Sequence, residues 1–303
     1  MTKTRLGASV LRGSLLISVG LLLIGSATVR TAVQKGMQLA IGSVIPSLFV
    51  FSVTADLIVR LDALRPASRL LSPLFRRILH LPPDAASAFL LGAAGGYPIG
   101  AQTVAALYEA GILNRREAEY ALSFSNNCGA AYMIAVVGPQ LGLTTAKSAR
   151  LFGLHLLAAL LTAVLLRPFA MRGEAAPAHE SLRPSSANQE SLPVHLTGAV
   201  GRASLAMLRL CGWICLFSVA TALADLVQAG AAAGLLELSS GIAALDRNEL
   251  ATGAFLTGFG GLCVACQTAS FAAPHHLRMR WYWAGKLLQA FLSAALIRLL
   301  LAG

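Results

Sequence analysis

Residues 85–108 read AASAFLLGAAGGYPIGAQTVAALY, with no charged side chain and with Gly95-Gly96-Tyr97-Pro98-Ile99-Gly100 at the centre. Such a segment is about long enough to cross a bilayer as one helix. Glycines and a proline at its middle break the helix, and the freed backbone groups must then be met by protein or by water in a cavity. The segment is therefore a kinked span or a re-entrant hairpin of two half-helices.

The rest of the chain supports a membrane setting. Of its 303 residues 56% are apolar and 12% charged, against roughly 25% charged in soluble domains. An ordinary cytosolic enzyme is excluded. Lys and Arg number 24 against 13 Asp and Glu, a net charge of +11. With a mean hydropathy of +0.69, that excess points to basic cytoplasmic loops and not to a nucleic-acid partner. Cys128, Cys211, Cys215, Cys263 and Cys266 all lie in apolar stretches and read as small core residues. The single CxxC at Cys263 and Cys266 has no second pair and no nearby His, so no metal or other cofactor is expected.

Outward from the opening segment, the chain divides into two halves. Residues 1–36 hold Lys3, Arg5 and Arg12, an apolar run from Leu15 to Val29 read as a retained first span, and a short loop. Residues 37–170 form a first repeat. It contains a span from Met37 to Val59, an Arg-rich amphipathic stretch from Arg60 to Pro83 suited to the membrane surface, the segment 85–108, and apolar helices at Tyr120–Leu141 and Ser148–Leu166. Residues 171–197, rich in Ser, Pro, Glu and Ala, read as a disordered cytoplasmic linker. Residues 198–303 form a second repeat with a span near Leu205–Val227, an uncharged Gly-rich segment 251–273 and a last span at Trp281–Leu301.

The halves match in sequence. Phe89-Leu-Leu-Gly-Ala-Ala-Gly95-Gly96, five residues, then Gln102-Thr103 recurs as Phe255-Leu-Thr-Gly-Phe-Gly260-Gly261, five residues, then Gln267-Thr268, with Gly-Gly and Gln-Thr both shifted by 165 positions. Phe51-Ser52-Val53 recurs as Phe217-Ser218-Val219 at a shift of 166. Internal repeats with broken helices are a signature of transporter folds. If both Gly-rich segments are re-entrant, 16 of the 24 Lys and Arg fall on the cytoplasmic side and 8 outside; if both cross, the division is 12 and 12. The positive-inside rule favours hairpins. The expected fold is an all-α polytopic membrane protein of about six full spans plus two re-entrant hairpins, arranged as an inverted repeat with both termini cytoplasmic.

Between the hairpins, Ser123-Phe124-Ser125-Asn126-Asn127-Cys128-Gly129 places two amides and a glycine in an apolar segment. This is costly in lipid unless they face a partner or a cavity. The reading is an unwound helix whose amides face a ligand, though interhelical hydrogen bonding alone would also suit them. None of the three segments carries a fixed charge, and half-helix N-termini at Gly95-Gly96 and Gly260-Gly261 suit an anion or a neutral polar molecule. The candidate substrate-binding set is Gly95, Gly96, Tyr97, Gln102, Thr103, Ser123, Ser125, Asn126, Asn127, Gly260, Gly261, Gln267 and Thr268. Candidates for carrying a proton or coupling ion are His155, Asp56 and Asp225. No hydrolase or nucleotide-binding motif is present, so the chain does not read as an enzyme.

The motifs Gly95-Gly96-Tyr97-Pro98-Ile99-Gly100, Ala121-Leu-Ser123-Phe-Ser-Asn126-Asn127-Cys-Gly129 and Gly258-Phe-Gly260-Gly261-Leu resemble the sporulation integral membrane protein family of the YlbJ type. That family belongs to the group carrying the Gate, or nucleoside-recognition, domain. The resemblance implies an architecture similar to concentrative nucleoside transporters. It also implies transport of dipicolinic acid, a flat aromatic dianion, into the forespore across the mother-cell-derived outer forespore membrane. A carrier of nucleosides or another small polar metabolite is the neighbouring alternative, and a non-transporting membrane scaffold for spore or envelope assembly is one of another class. The implied partners are a small anionic substrate and the lipid bilayer.

Overall fold

The computed structural model describes residues 25–61, 63–172, 191–225 and 233–301, all helical or connecting backbone. The expected first span lies mostly outside these residues, as does most of the linker. Helix α1 (Ser26–Leu39) runs through a widened turn at Ala40–Val44 into α2 (Ile45–Arg60) without leaving helical geometry. Pro46 at the start of α2 lacks the N–H that would bond back one turn, which accounts for the widening there. Helix α3 (Arg65–Ser72) continues through a second widened stretch, Pro73–Leu79. It buries Phe75 and Leu79 and leaves Leu70, Arg69, Arg76 and Arg77 exposed, the two-faced character read from its sequence.

Helices α4 (Ala85–Gly95) and α5 (Ile99–Glu109) pack side by side as a hairpin. Gly96, at φ 82°, with Tyr97 and Pro98 reverses the chain between them. The hairpin opens and closes at one end of the bundle, where Arg60 Nη2 on α2 donates to Glu109 at 3.1 Å.

Helix α6 (Arg115–Ser125) starts at a capping box, in which the Asn114 side chain accepts from Glu117 N and the Glu117 carboxylate accepts from Asn114 N. It stops at Ser125, because Asn126 is extended (φ −90°, ψ 97°) and helical turns resume only at Ala130. Helix α7 (Thr145–Ala170) returns antiparallel to this broken path, with Tyr120 Oη donating to Ala163 O at 2.7 Å and Cys128 N to His155 Nε2 at 3.2 Å. Helix α8 (Leu192–Asp225) packs on α1 and α2. Arg202 on α8 meets Asp56 on α2 through Nε at 2.9 Å and Nη2 at 2.6 Å.

Helices α9 (Leu250–Phe259), α10 (Gly261–Ala272) and α11 (Arg280–Leu300) complete the bundle. Here the structure corrects the expected second hairpin. Near the start of α9, Asn248 N donates to Leu141 O at 3.4 Å and Gln140 Nε2 to Leu245 O at 3.1 Å. Past the end of α10, Arg115 Nη2 donates to His276 O at 2.5 Å and Arg278 N to Glu119 Oε1 at 3.0 Å. Arg115 and Leu141 mark opposite ends of the bundle, so α9 and α10 together cross it. The physical difference lies in the breaks: three residues including a proline turn α4 into α5, whereas Gly260 and Gly261, left-handed at φ 84° and 82°, join α9 directly to α10 and give a bend. Helices α4 and α9 still approach the centre from opposite ends, but α5 turns back while α10 goes on. A second correction follows. Helix α11 starts at the Arg115 end and Leu301 packs beside Leu141 and Leu250, so Leu301 does not share the Arg-rich end with Arg60, Arg115, Arg167 and Arg202.

Among the described residues, Thr145–Ala170, Leu192–Ala224, Leu250–His275 and Arg280–Leu300 are long and apolar enough to cross a membrane. The chain is a multi-pass membrane protein.

Candidate functional site

The breaks in α4–α5, α6 and α9–α10 meet at one level. Helix α6 puts Asn126 about 16 Å from Arg115 at 1.5 Å per residue, close to half the ~30 Å hydrocarbon thickness. Glycines allow the meeting. A Cβ on Gly92 or Gly100 would run into the Ser125 carbonyl, and one on Gly96 would sit 2.9 Å from Gly129 N. The α4–α5 hairpin thus cradles the unwound segment at backbone distance. A Cβ on Gly260 would sit 3.2 Å from the Tyr97 ring, and Tyr97 Oη donates to Thr257 O at 2.9 Å. Tyr97 therefore ties the tip of the first break to the second.

Asn126 is the hub. Its Oδ1 accepts from Ala101 N in the first turn of α5 at 3.4 Å, its Nδ2 donates to Thr268 Oγ1 on α10 at 2.8 Å, and its carbonyl accepts from Lys286 Nζ on α11 at 2.5 Å. Lys286 also donates to Gln289 Oε1 at 2.7 Å and sits 5.3 Å from the Tyr97 ring centroid. Gln289 Nε2 donates to Asn127 Oδ1 at 2.9 Å and lies 3.5 Å from His155 Nε2. Because His155 Nε2 accepts from Cys128 N, the imidazole proton is on Nδ1. Asn126, Asn127, Lys286 and Gln289 are all fully buried. Among the described residues no ion pair includes Lys286. Ser125 Oγ, Ser293 Oγ and His155 Nδ1 are buried with no hydrogen-bond partner.

A buried ammonium costs several kcal/mol to desolvate unless a counter-charge compensates it, and buried polar groups as a rule have partners. A buried lysine with no carboxylate, near unmatched polar groups at a junction of broken helices, is an arrangement that an anion would complete by pairing with its protonated form. No three His, Cys, Asp or Glu side chains converge as a metal centre would need among the described residues.

Of the residues singled out in the sequence, Gly96, Tyr97, Ser125, Asn126, Asn127, Gly260, Thr268 and His155 come together here, with Gly95 beside them at the end of α4. Others are engaged elsewhere. Gln102 accepts from Ser52 Oγ at 2.7 Å, Gln267 Nε2 donates to Cys263 Sγ at 3.3 Å, Thr103 Oγ1 donates to Ile99 O and Ser123 Oγ to Tyr120 O. Gly261 faces the backbone of Gly234 and Leu236. Asp56 is held by Arg60 and Arg202, and the Asp225 side chain lies outside the described residues. The sequence reading missed Lys286 and Gln289. Their signal was an ionisable residue inside the last apolar span, followed at helical spacing by Gln289 and Ser293 on one face.

Residues 41–144 match the Gate family, described as nucleoside recognition. That range covers α2, the hairpin, α6 and the unwound Asn126–Gly129 segment. The chain is 23% identical over 312 aligned residues to the sporulation integral membrane protein YlbJ of Bacillus subtilis (strain 168), covering 89% of this chain and 76% of the relative. Both findings bear out the family resemblance read from the motifs. No solved structure matches the chain.

Proposed function

We propose that the chain is a membrane transporter that moves dipicolinic acid, a small aromatic dicarboxylate, into the forespore during endospore formation. The observation that carries this reading is Lys286, a buried amine without a carboxylate partner at the junction of three helix breaks. An anion entering there gains the charge partner that Lys286 lacks. The amides of Asn126 and Asn127, each using one N–H within the junction, keep a second N–H as a donor there. The Tyr97 ring offers a flat face beside the ammonium for an aromatic ligand. The similarity to a sporulation membrane protein supports the setting. The Arg-rich end of the bundle is the cytoplasmic one by the positive-inside rule.

The Gate match favours a second reading, a carrier of nucleosides. A nucleoside is neutral and gives a protonated Lys286 no charge partner, which is why the anion is preferred. Purified protein in liposomes, offered labelled dipicolinate and labelled uridine separately, tests the choice. Dipicolinate flux supports the proposal, and uridine flux without dipicolinate flux overturns it.

A further inference from the structure

The hydrogen-bonding of Lys286 goes beyond marking an anion site. Its two short bonds, to Asn126 O at 2.5 Å and Gln289 Oε1 at 2.7 Å, require only the two N–H groups of a neutral amine. The third hydrogen of an ammonium has only Tyr97 Oη, a neutral acceptor at 3.5 Å and at the limit of a hydrogen bond, so charging Nζ gains no strong partner.

The groups around it supply no negative charge. Helix α9 has no titratable side chain between Leu250 and Phe259. Helix α6 carries Arg115, Arg116, Glu117, Glu119 and Tyr120 in its first turns, away from the Ser125 end. Helix α7 offers His155 through Gln289, with Lys147, Arg150 and Arg167 toward its ends. The hairpin turn offers Tyr97, the unwound segment Cys128, and α11 itself Tyr282 one turn earlier.

We infer that Lys286 couples anion movement to a proton: neutral in the empty carrier, it takes up one proton together with each bound anion and releases both on the far side. This rests on the reading of the site as an anion carrier. The balance is R–NH2 plus H+ plus anion giving R–NH3+ paired with the anion, the proton coming from water on the loading side and returning to water on the other. An empty carrier that kept the charge would have to reorient with an uncompensated buried cation, which the membrane interior opposes.

The test uses the full chain in liposomes with membrane voltage clamped and labelled dipicolinate as probe. With wild-type protein, an inward gradient of one pH unit is expected to drive about tenfold accumulation, since one proton per anion converts one pH unit into a factor of ten. Lys286→Arg, permanently charged, is expected to lose proton-driven net uptake and the proton uptake that accompanies dipicolinate binding. Because the arginine variant could fail to fold, proton uptake by wild-type protein on adding dipicolinate in weak buffer is a second readout, expected near one proton per anion bound. Wild-type flux indifferent to the pH gradient, or driven by sodium instead, overturns the coupling while leaving dipicolinate transport standing. Net proton-driven uptake retained by Lys286→Arg also overturns it. Absence of any wild-type dipicolinate flux or binding sinks the function itself, and the coupling with it.

Discussion

Lys286 Nζ and the carbonyl oxygen of Asn126 are 2.5 Å apart across 160 positions of sequence. The carbonyl is free to accept because α6 unwinds at that residue. The lysine is held in place because α11 packs closely enough on α6 for a Cβ on Gly285 to strike the Ser123 carbonyl. Unwinding and close packing together put a lysine amine where the breaks meet.

The Tyr97–Thr257 bond joins the two broken tips. Tyr97→Phe removes the donor and leaves the ring in place, and the loss of one hydrogen bond typically costs about 1 kcal/mol. A modest fall in thermal stability in detergent is expected, with a larger fractional fall in transport, because the link bears directly on the junction. Thermal unfolding alongside liposome flux measures both, and unchanged values for both would show the bond to be incidental.

Glycines in the hairpin should tolerate nothing larger. Gly92→Ala and Gly100→Ala each push a methyl into the Ser125 carbonyl. Overpacking of this kind costs about 1–3 kcal/mol, and more where backbone must move. Gly201→Ala on α8 meets open space and should be neutral or stabilising by up to about 1 kcal/mol through helix propensity. Comparing unfolding temperatures of the three variants checks the close approach of hairpin and unwound segment.

The turn between α3 and α4 should respond to acid. Arg167 Nη2 donates to the His80 imidazole, 2.8 Å from Nδ1. Burial, and then the neighbouring guanidinium, hold its pKa below the usual 6.5. The folded state therefore favours neutral His80. Its contribution to stability is complete above the unfolded value of 6.5 and is lost as pH falls from there toward the lowered folded value. His80 is left-handed at φ 56°, a conformation Asn also accepts. Thermal stability of wild-type protein should weaken as pH falls below 6.5, and His80→Asn should flatten that part of the curve.

The sequence made some of this legible and hid the rest for identifiable reasons. Helix breaks at Gly95-Gly96 and Gly260-Gly261 and the unwinding at Asn126-Asn127 are local effects of glycine, proline and amides in apolar runs, and each lies where it was read. What happens after a break is less local. Pro98 and two neighbours allow reversal, Gly260 and Gly261 without a proline allow a bend, and a repeat match of Gly-Gly-x5-Gln-Thr masks that difference. The matched glutamines part for a similar reason: Gln102 pairs with Ser52 in the repeated Phe-Ser-Val of α2, whereas Gln267 pairs with Cys263, one of the five unmatched residues of its own segment. Lys286 was hidden by attention to charge-free segments, although a lone lysine in the final apolar span was itself the stronger signal.

The central claim is that Lys286 receives an anion, and the most direct measurement is dipicolinate binding to purified wild-type protein and to Lys286→Met by titration calorimetry in detergent. Methionine keeps much of the volume but takes the donor from the Asn126 carbonyl and Gln289 Oε1, so thermal unfolding of the variant is measured alongside the titration. A charge-assisted hydrogen bond of about 1.5–3 kcal/mol predicts binding roughly 10- to 150-fold weaker in the variant. Equal affinity for dipicolinate in the two proteins would contradict the account.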